Sequence, residues 1–188
     1  MANWYRLARV EFPNQFFASA GSRFTPNSGK FPCVYLAESR ETTVAEVWGD
    51  RFSAQFEYGP MLYVISSSQA RKWAFLQATP LSPELRICDL TNSGTRLAAG
   101  IDSASLYAPD FRIPQEWASR IANHPSDFDG IQYRSRHTDE RCLVLWSRTT
   151  DDEPISKTIS FAFDTPFLES EAAYALAGKI AIRLSFAT

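Results

Sequence analysis

The sequence predicts an α+β fold: one domain over residues 1–188, built on a mixed, mostly antiparallel twisted sheet with flanking helices. Three observations lead there. Short stretches of alternating apolar and polar residues, bounded by Gly, Pro and Ser, recur along the whole chain. Helical periodicity is confined to a few stretches between them, and 188 residues with 45% apolar side chains suffice for one sizeable core. No repeat, low-complexity tract or linker divides the chain; the nearest thing to a boundary is the charged loop TTDDEP (149–154).

The first strand runs from Trp4 to Val10, with Trp4, Arg6, Ala8 and Val10 on one face and Tyr5, Leu7 and Arg9 on the other. Residues 13 to 32 hold prolines, glycines and Ser/Asn and read as a long irregular connection carrying Gly21-Ser22-Arg23-Phe24. A second strand, Pro32 to Ala37, alternates Val34 and Leu36 against Cys33, Tyr35 and Ala37. Ser39 offers an N-cap to a helix from Glu41 to Phe52, whose apolar stripe is Val44, Val47, Trp48 and Phe52. Thr42, Thr43, Glu46 and Asp50 fall off that stripe, so Glu46 is not a core residue. Strands follow at 61–66, 71–76 and 85–90. Thr91 can cap a short helix through Leu97, and Ile113 to Asn123 reads as another, with Pro114 in its first turn and His124-Pro125 ending it. The pattern then returns to strands at 129–135, 142–146 and 156–163, a helix from Leu168 to Ala177, and a closing strand KIAIRLSF.

Composition excludes several classes. A formal charge of −2 and a pI near 5.7, with no dense Lys/Arg cluster, disfavour a nucleic-acid surface. Cys33, Cys88 and Cys142 lie far apart in apolar runs with only His124 and His137 beside them, so no metal spacing exists and the thiols read as buried and free in a reducing compartment, the cytoplasm. The opening MANWYRLARVEF has arginines where a signal peptide needs an unbroken apolar core, and no segment is apolar for the ~18 to 20 residues a membrane span needs, so we expect a soluble, unprocessed chain. Nucleotide-loop, zincin and serine-hydrolase motifs are missing, and the thiols sit where their pKa would rise, against a cysteine nucleophile.

The unusual residues are polar ones on apolar strands: Arg6, Tyr35 and Ser135. Taken singly, each has a structural explanation: a snorkelling arginine, a tyrosine at the core edge, a serine ending a strand. Taken as a set with Glu46, eleven positions after Tyr35 (46 − 35 = 11), they carry a resemblance. The runs SRF (22–24), VYLAESRETTVAE (34–46) and DGIQYRSR (129–136), in that order, resemble the RES-domain family, named for its Arg, Glu and Ser. The likeness extends from Tyr5-Arg6 to the CLVLW strand. It departs at Tyr-Arg before Ser135, where proline is common in the family, and the tail 150–188 is not matched to the family's motifs.

The resemblance implies a fold similar to ADP-ribosyltransferases, a site that takes NAD as substrate without a metal, and a toxin held inactive by an Xre-like antitoxin, as a homodimer or a hetero-oligomer with it. Arg6 (with Arg9 as an alternative) and Arg23 match the family's arginines, Tyr35 its strand tyrosine, Glu46 its helix glutamate and Ser135 its serine. On this reading Glu46 faces the cation that forms as the nicotinamide–ribose bond breaks, and needs no acid partner because nicotinamide leaves neutral. Arg6 and Arg23 clamp the pyrophosphate, Tyr35 stacks on nicotinamide or its ribose, and Ser135 hydrogen-bonds ribose or carboxamide. Three outcomes stay open: NAD glycohydrolysis or phosphorolysis, ADP-ribosyl transfer to a protein, and a binding module with a decayed site. Val44, two before Glu46 where many transferases carry an acceptor-recruiting side chain, favours the first by analogy.

Overall fold

In the computed structural model, residues 3–13, 22–27, 31–56, 65–80, 84–147 and 159–171 are described, those of 50–56 by their backbone alone. Seven stretches of alternating pattern become strands: β1 (Trp4–Arg9), β2 (Cys33–Ala37), β3 (Trp73–Pro80), β4 (Ile87–Asp89), β5 (Gly130–Arg134), β6 (Arg141–Trp146) and β7 (Ile159–Pro166). They form one sheet in the order β4-β5-β6-β2-β1-β3-β7. Between them lie the helices α1 (Arg40–Phe56), α2 (Ser67–Ala70), α3 (Ser93–Ala99), α4 (Ser103–Leu106) and α5 (Arg112–Ala122). Every neighbouring pair of strands is antiparallel except β4 and β5, which run parallel because the chain between them crosses over through α3, α4 and α5. The fold is thus the α+β class with a mostly antiparallel sheet.

Local chemistry moved several boundaries. β3 starts at Trp73 rather than 71 because Arg71 and Lys72 turn the chain out of α2, and Val10 N donates to Lys72 O (2.9 Å) to close that end of the sheet. Asn92 rather than Thr91 caps α3, accepting from Gly94 N (2.7 Å) and Thr95 N (3.3 Å), while Thr91 donates to Asp89 (2.6 Å). Gly100 ends α3 at φ 70°, a left-handed conformation that needs glycine. The short helices α2 and α4, capped by Ser66 and Asp102, carry too few residues to show periodicity in sequence. Residues 61–64 of one expected strand lie outside the described residues, and Ile65-Ser66 lead into α2. After β7 a 3-10 turn, Phe167–Glu169, stands at the start of the expected 168–177 helix; residues 172–188, with the closing strand, also lie outside the described part.

The core has two sides. On one face, Phe24, Ile131, Tyr133, Cys142 and Val144 pack under Leu106, Ala118 and Ile121, beside a second group of Leu7, Val44, Trp48, Phe75 and Phe167. On the other face, Trp4, Val34, Leu36, Leu143, Leu145 and Ile159 form a smaller cluster. Helix α1 docks with Val44, Ala45 and Trp48, and Thr42 and Thr43 are buried with them, whereas Val47, expected on the apolar stripe, is 38% exposed. The stripe shifts because both threonines satisfy their hydroxyls: Thr43 donates to Arg40 O (2.7 Å) and Thr42 to Glu140 (2.6 Å).

Gly130 opens β5 against β6 so closely that a β-carbon would stand 2.1 Å from Val144 O. The obstacle is backbone and cannot rotate away. Gly130→Ala is therefore expected to cost about 3 kcal/mol of stability, typical of overpacking against a fixed neighbour, read as a lower urea midpoint.

Candidate active site

Helix α1 is fastened at its start and flush at its middle. Ser39 Oγ accepts from Thr42 N (3.1 Å), the cap expected from sequence, and also donates to the Glu140 carboxylate, which Thr42 Oγ1 reaches at 2.6 Å. Thr138 Oγ1 completes the group, 2.8 Å from Thr42 Oγ1. Two turns beyond, a β-carbon on Gly49 would lie 2.5 Å from His137 Nε2, so glycine lets the helix rest on that imidazole as it stands.

Between these points stands Glu46. Tyr133 Oη donates to its Oε2 (2.8 Å) and Ser135 Oγ to its Oε1 (2.7 Å), so each carboxylate oxygen has a donor from β5 or its exit. Tyr133 and Ser135 are two apart and share a face. In the register, Tyr133 is followed across the sheet by Cys142 and then Ala37, both small, which leaves the phenol an open path to the helix. Ser135 is buried and also accepts from His137 N (3.2 Å). Burial raises the Tyr133 hydroxyl well above its usual value, with Glu46 adding to the rise, so it remains a proton donor.

The loop 22–27 is stitched to the same place. Tyr35 Oη accepts from Phe24 N (3.1 Å) and lies 3.4 Å from Thr25 Oγ1, Trp146 Nε1 donates to Phe24 O (3.2 Å), and the Phe24 ring stands 4.5 Å from that of Tyr133. Arg23, next in the loop, donates through NH1 to Leu106 O (3.2 Å) and Ala108 O (2.7 Å) with its guanidinium 4.5 Å from the Phe111 ring centre. Its NH2 is buried and finds no hydrogen-bond partner among the described residues. Burial lowers the pKa of this guanidinium, with Glu46 opposing.

Strands β1 and β2 are registered through Tyr5 and Ala37, and beyond that pair a cavity of about 430 Å³ opens between Arg6–Arg9 and Cys33–Ala37, walled further by Phe12, Trp73 and Val47. A second cavity of about 330 Å³ is lined by Arg23, Tyr107, Phe111, Tyr133, Arg136 and His137. Ser22, Tyr35, Glu46 and Val47 border both, so Glu46 stands where an apolar lobe meets a cationic one.

The structure lines this cleft with Arg23, Tyr35 and Glu46 and sets Ser135 behind Glu46, buried and bonded to its carboxylate rather than bordering either cavity. Arg6 is the correction. Tyr5 faces Ala37 and hence the Tyr35 side of the sheet, so strand alternation turns Arg6 to the other side, where it donates to Pro13 O (3.0 Å) and its guanidinium lies 5.4 Å from the Phe161 ring centre. Burial draws that guanidinium down to about 10. Arg6 still borders the first cavity, as does Arg9, the alternative, which is on the Tyr35 face with its guanidinium 5.7 Å from the Trp73 ring centre. Sequence reasoning passed over Tyr133, Arg136 and His137. Alternation along DGIQYRS placed Tyr133 beside Ser135 and could have flagged it; nothing local marked His137, whose contact with Gly49 is tertiary. The three cysteines are buried, and burial pushes the Cys33 thiol up to about 12 and Cys88 to about 11. Among the described residues no group of three or more His, Cys, Asp or Glu is placed to hold a metal ion, and no helix is long and apolar enough to cross a membrane.

The sequence matches the family described as the RES domain over residues 3–164. No curated protein matches it significantly. The fold is similar to a chain in the crystal structure of the M. tuberculosis MbcT–MbcA toxin–antitoxin complex, at a TM-score of 0.55 and 20% identity, covering 92% of this chain and 88% of that one.

His137 yields a pH dependence. Burial holds its imidazole below the ordinary value of 6.5, with Glu46 opposing and Arg136 and Arg23 assisting. Below about pH 6.5 the unfolded chain therefore takes up the proton before the folded one does, and stability falls with pH. His137→Asn is expected to fall less steeply between pH 7 and pH 5 in urea denaturation series.

Proposed function

Because the chain belongs to the RES-domain family, we propose that it is an NAD-consuming enzyme that breaks the nicotinamide–ribose bond, and that it acts as a toxin neutralised by an Xre-like antitoxin. The observation that carries this reading is Glu46, presented with both oxygens hydrogen-bonded at the junction of an apolar and a cationic lobe.

The residues suit the substrate. Arg23, with an unpartnered buried NH2, and Arg136 offer positive charge in one lobe for the pyrophosphate. Leu7, Trp73 and the ring of Tyr35 line the other, suited to a flat heteroaromatic. In the reaction the C–N bond breaks, its electron pair stays with nicotinamide, and the ribose carbon becomes oxocarbenium-like beside the Glu46 carboxylate. Water adds from the open face and loses a proton, giving ADP-ribose; phosphate in its place gives the phosphorylated sugar. Tyr35, with its hydroxyl held under the loop, contributes its ring and the seating of Arg23.

Transfer of ADP-ribose to a protein is the competing outcome of the same site. Val44 argues against it: the position two before Glu46 is 1% exposed and packs in the core, leaving no side chain there to recruit an acceptor. An antitoxin that covers the cleft would meet the cationic lobe with carboxylates.

The test is turnover of NAD by the purified chain, following nicotinamide and ADP-ribose. Glu46→Gln keeps shape and loses charge, and is expected to lower kcat about a hundredfold to a thousandfold, as for loss of one group that stabilises transition-state charge; full activity in this variant would sink the assignment. Arg23→Ala is expected to raise KM for NAD about tenfold, the worth of one charge-assisted hydrogen bond. Label from adenylate-marked NAD appearing on protein would shift the reading to a transferase.

A further inference from the structure

We propose that Tyr133 is a positioning residue for Glu46: its hydroxyl, together with Ser135, holds the carboxylate aimed at the junction of the two lobes, and Phe24 holds Tyr133. The inference rests on the reading of Glu46 as the charge-stabilising group and adds to it a residue outside the Arg, Glu and Ser that name the family.

The argument is geometric. A glutamate on a helix has three side-chain torsions, and a carboxylate that must face a forming cation gains from having them settled beforehand. Ser135 alone leaves rotation about the bond to one oxygen. With Tyr133 Oη on Oε2 at 2.8 Å and Ser135 Oγ on Oε1 at 2.7 Å, the plane of the group is set. Tyr133 can do this only because it is itself immobile: it is 3% exposed, paired in register with Cys142, and packed at 4.5 Å between ring centres against Phe24, which is fully buried. Phe24 also carries the amide bonded to Tyr35 and the carbonyl bonded to Trp146. The loop bearing Arg23 and the strand bearing the carboxylate's donor are therefore locked by one ring pair. Losing one of the two donors frees the carboxylate to turn about its remaining bond and leaves one oxygen open to reagent.

Tyr133→Phe removes one oxygen and keeps the ring. Two readouts are taken on the full chain: kcat and KM for NAD, and the rate at which a water-soluble carbodiimide with glycine ethyl ester amidates Glu46, read by peptide mass spectrometry. The carbodiimide needs a carboxyl oxygen it can reach, which the two hydrogen bonds deny it, and needs no substrate. The expected result is amidation faster by about threefold or more, with kcat lower by about tenfold to a hundredfold and KM within about twofold of the parent, the range of one hydrogen bond to a charged group. Unchanged amidation overturns the proposal whatever happens to NAD, and so does a raised KM with kcat intact, which would make Tyr133 a substrate contact. If the parent chain does not turn over NAD, the proposed reaction fails and amidation alone decides the role of Tyr133. Should Tyr133→Phe not fold, Phe24→Leu leaves the hydroxyl but loosens its ring; faster amidation of Glu46 supports the proposal and an unchanged rate overturns it.

Discussion

The seating of helix α1 on the segment from Tyr133 to Glu140 is the contact on which the rest of the site depends. Three different interactions make it along one helix: the Glu140 carboxylate on Ser39 and Thr42, the Glu46 carboxylate under Tyr133 and Ser135, and Gly49 on the His137 ring. On its other side the helix packs Trp48 against Trp73 and Phe167, ring centres 5.4 and 5.2 Å away, and Arg40 grips Asp164 of β7 with two hydrogen bonds of 2.6 and 2.8 Å. Helix α1 thus bridges the two parts of a sheet that separates between β1 and β2. The width of the cleft is the distance the helix imposes.

That arrangement places many polar groups where water is scarce, and each must find a partner. Two of the three interactions place a negative charge on α1 or against its first turn: the helix N-terminus and hydroxyl donors offset desolvation at Glu140, and hydroxyl donors do so at Glu46. Glu140 is exposed enough to stay solvated while its oxygen serves the cap. Glu46 is served by side chains that are themselves buried. Among the described residues of the cleft, Arg23 has one buried nitrogen left over while its NH1 and its stacking on Phe111 are satisfied. On the proposed reading, that nitrogen is the one left for a pyrophosphate oxygen.

Much of this was legible in the residues. Strands β1, β2, β5 and β6 were readable because alternation is a local signal, and Ser39 because an N-cap is a short-range bond. Glu46 stood out for lying off the packed side of its helix, and Tyr35 and Ser135 for being polar on apolar strands. What failed was anything that needed to know which face meets which. Arg6 and Arg9 differ in parity alone, and only the Tyr5–Ala37 register tells that Arg9 shares a side with Tyr35. Thr42 and Thr43 are polar by type and buried in fact, because their partners, Glu140 and Arg40 O, come from a distant turn and from the backbone. The parallel pairing of β4 with β5 is a tertiary consequence of the crossover and leaves no mark on a three-residue strand.

The division of the cleft bears on the proposed chemistry more than any single side chain does. In NAD the reacting carbon lies between a positively charged aromatic ring, which departs neutral, and a doubly negative pyrophosphate, which does not change. A lobe with Leu7, Phe12 and Trp73 in its wall favours the ring more after its charge is gone than before, while the lobe of Arg23 and Arg136 holds the anion equally in both states. Binding energy from the cationic lobe then anchors the substrate, and the apolar lobe and Glu46 supply the difference between ground and transition state. Reversing the orientation would take the pyrophosphate out of the lobe of Arg23 and Arg136 and leave Arg23 NH2 without an acceptor. On the proposed reading the two lobes would give NAD one direction, with its glycosidic carbon at the carboxylate between Tyr133 and Ser135.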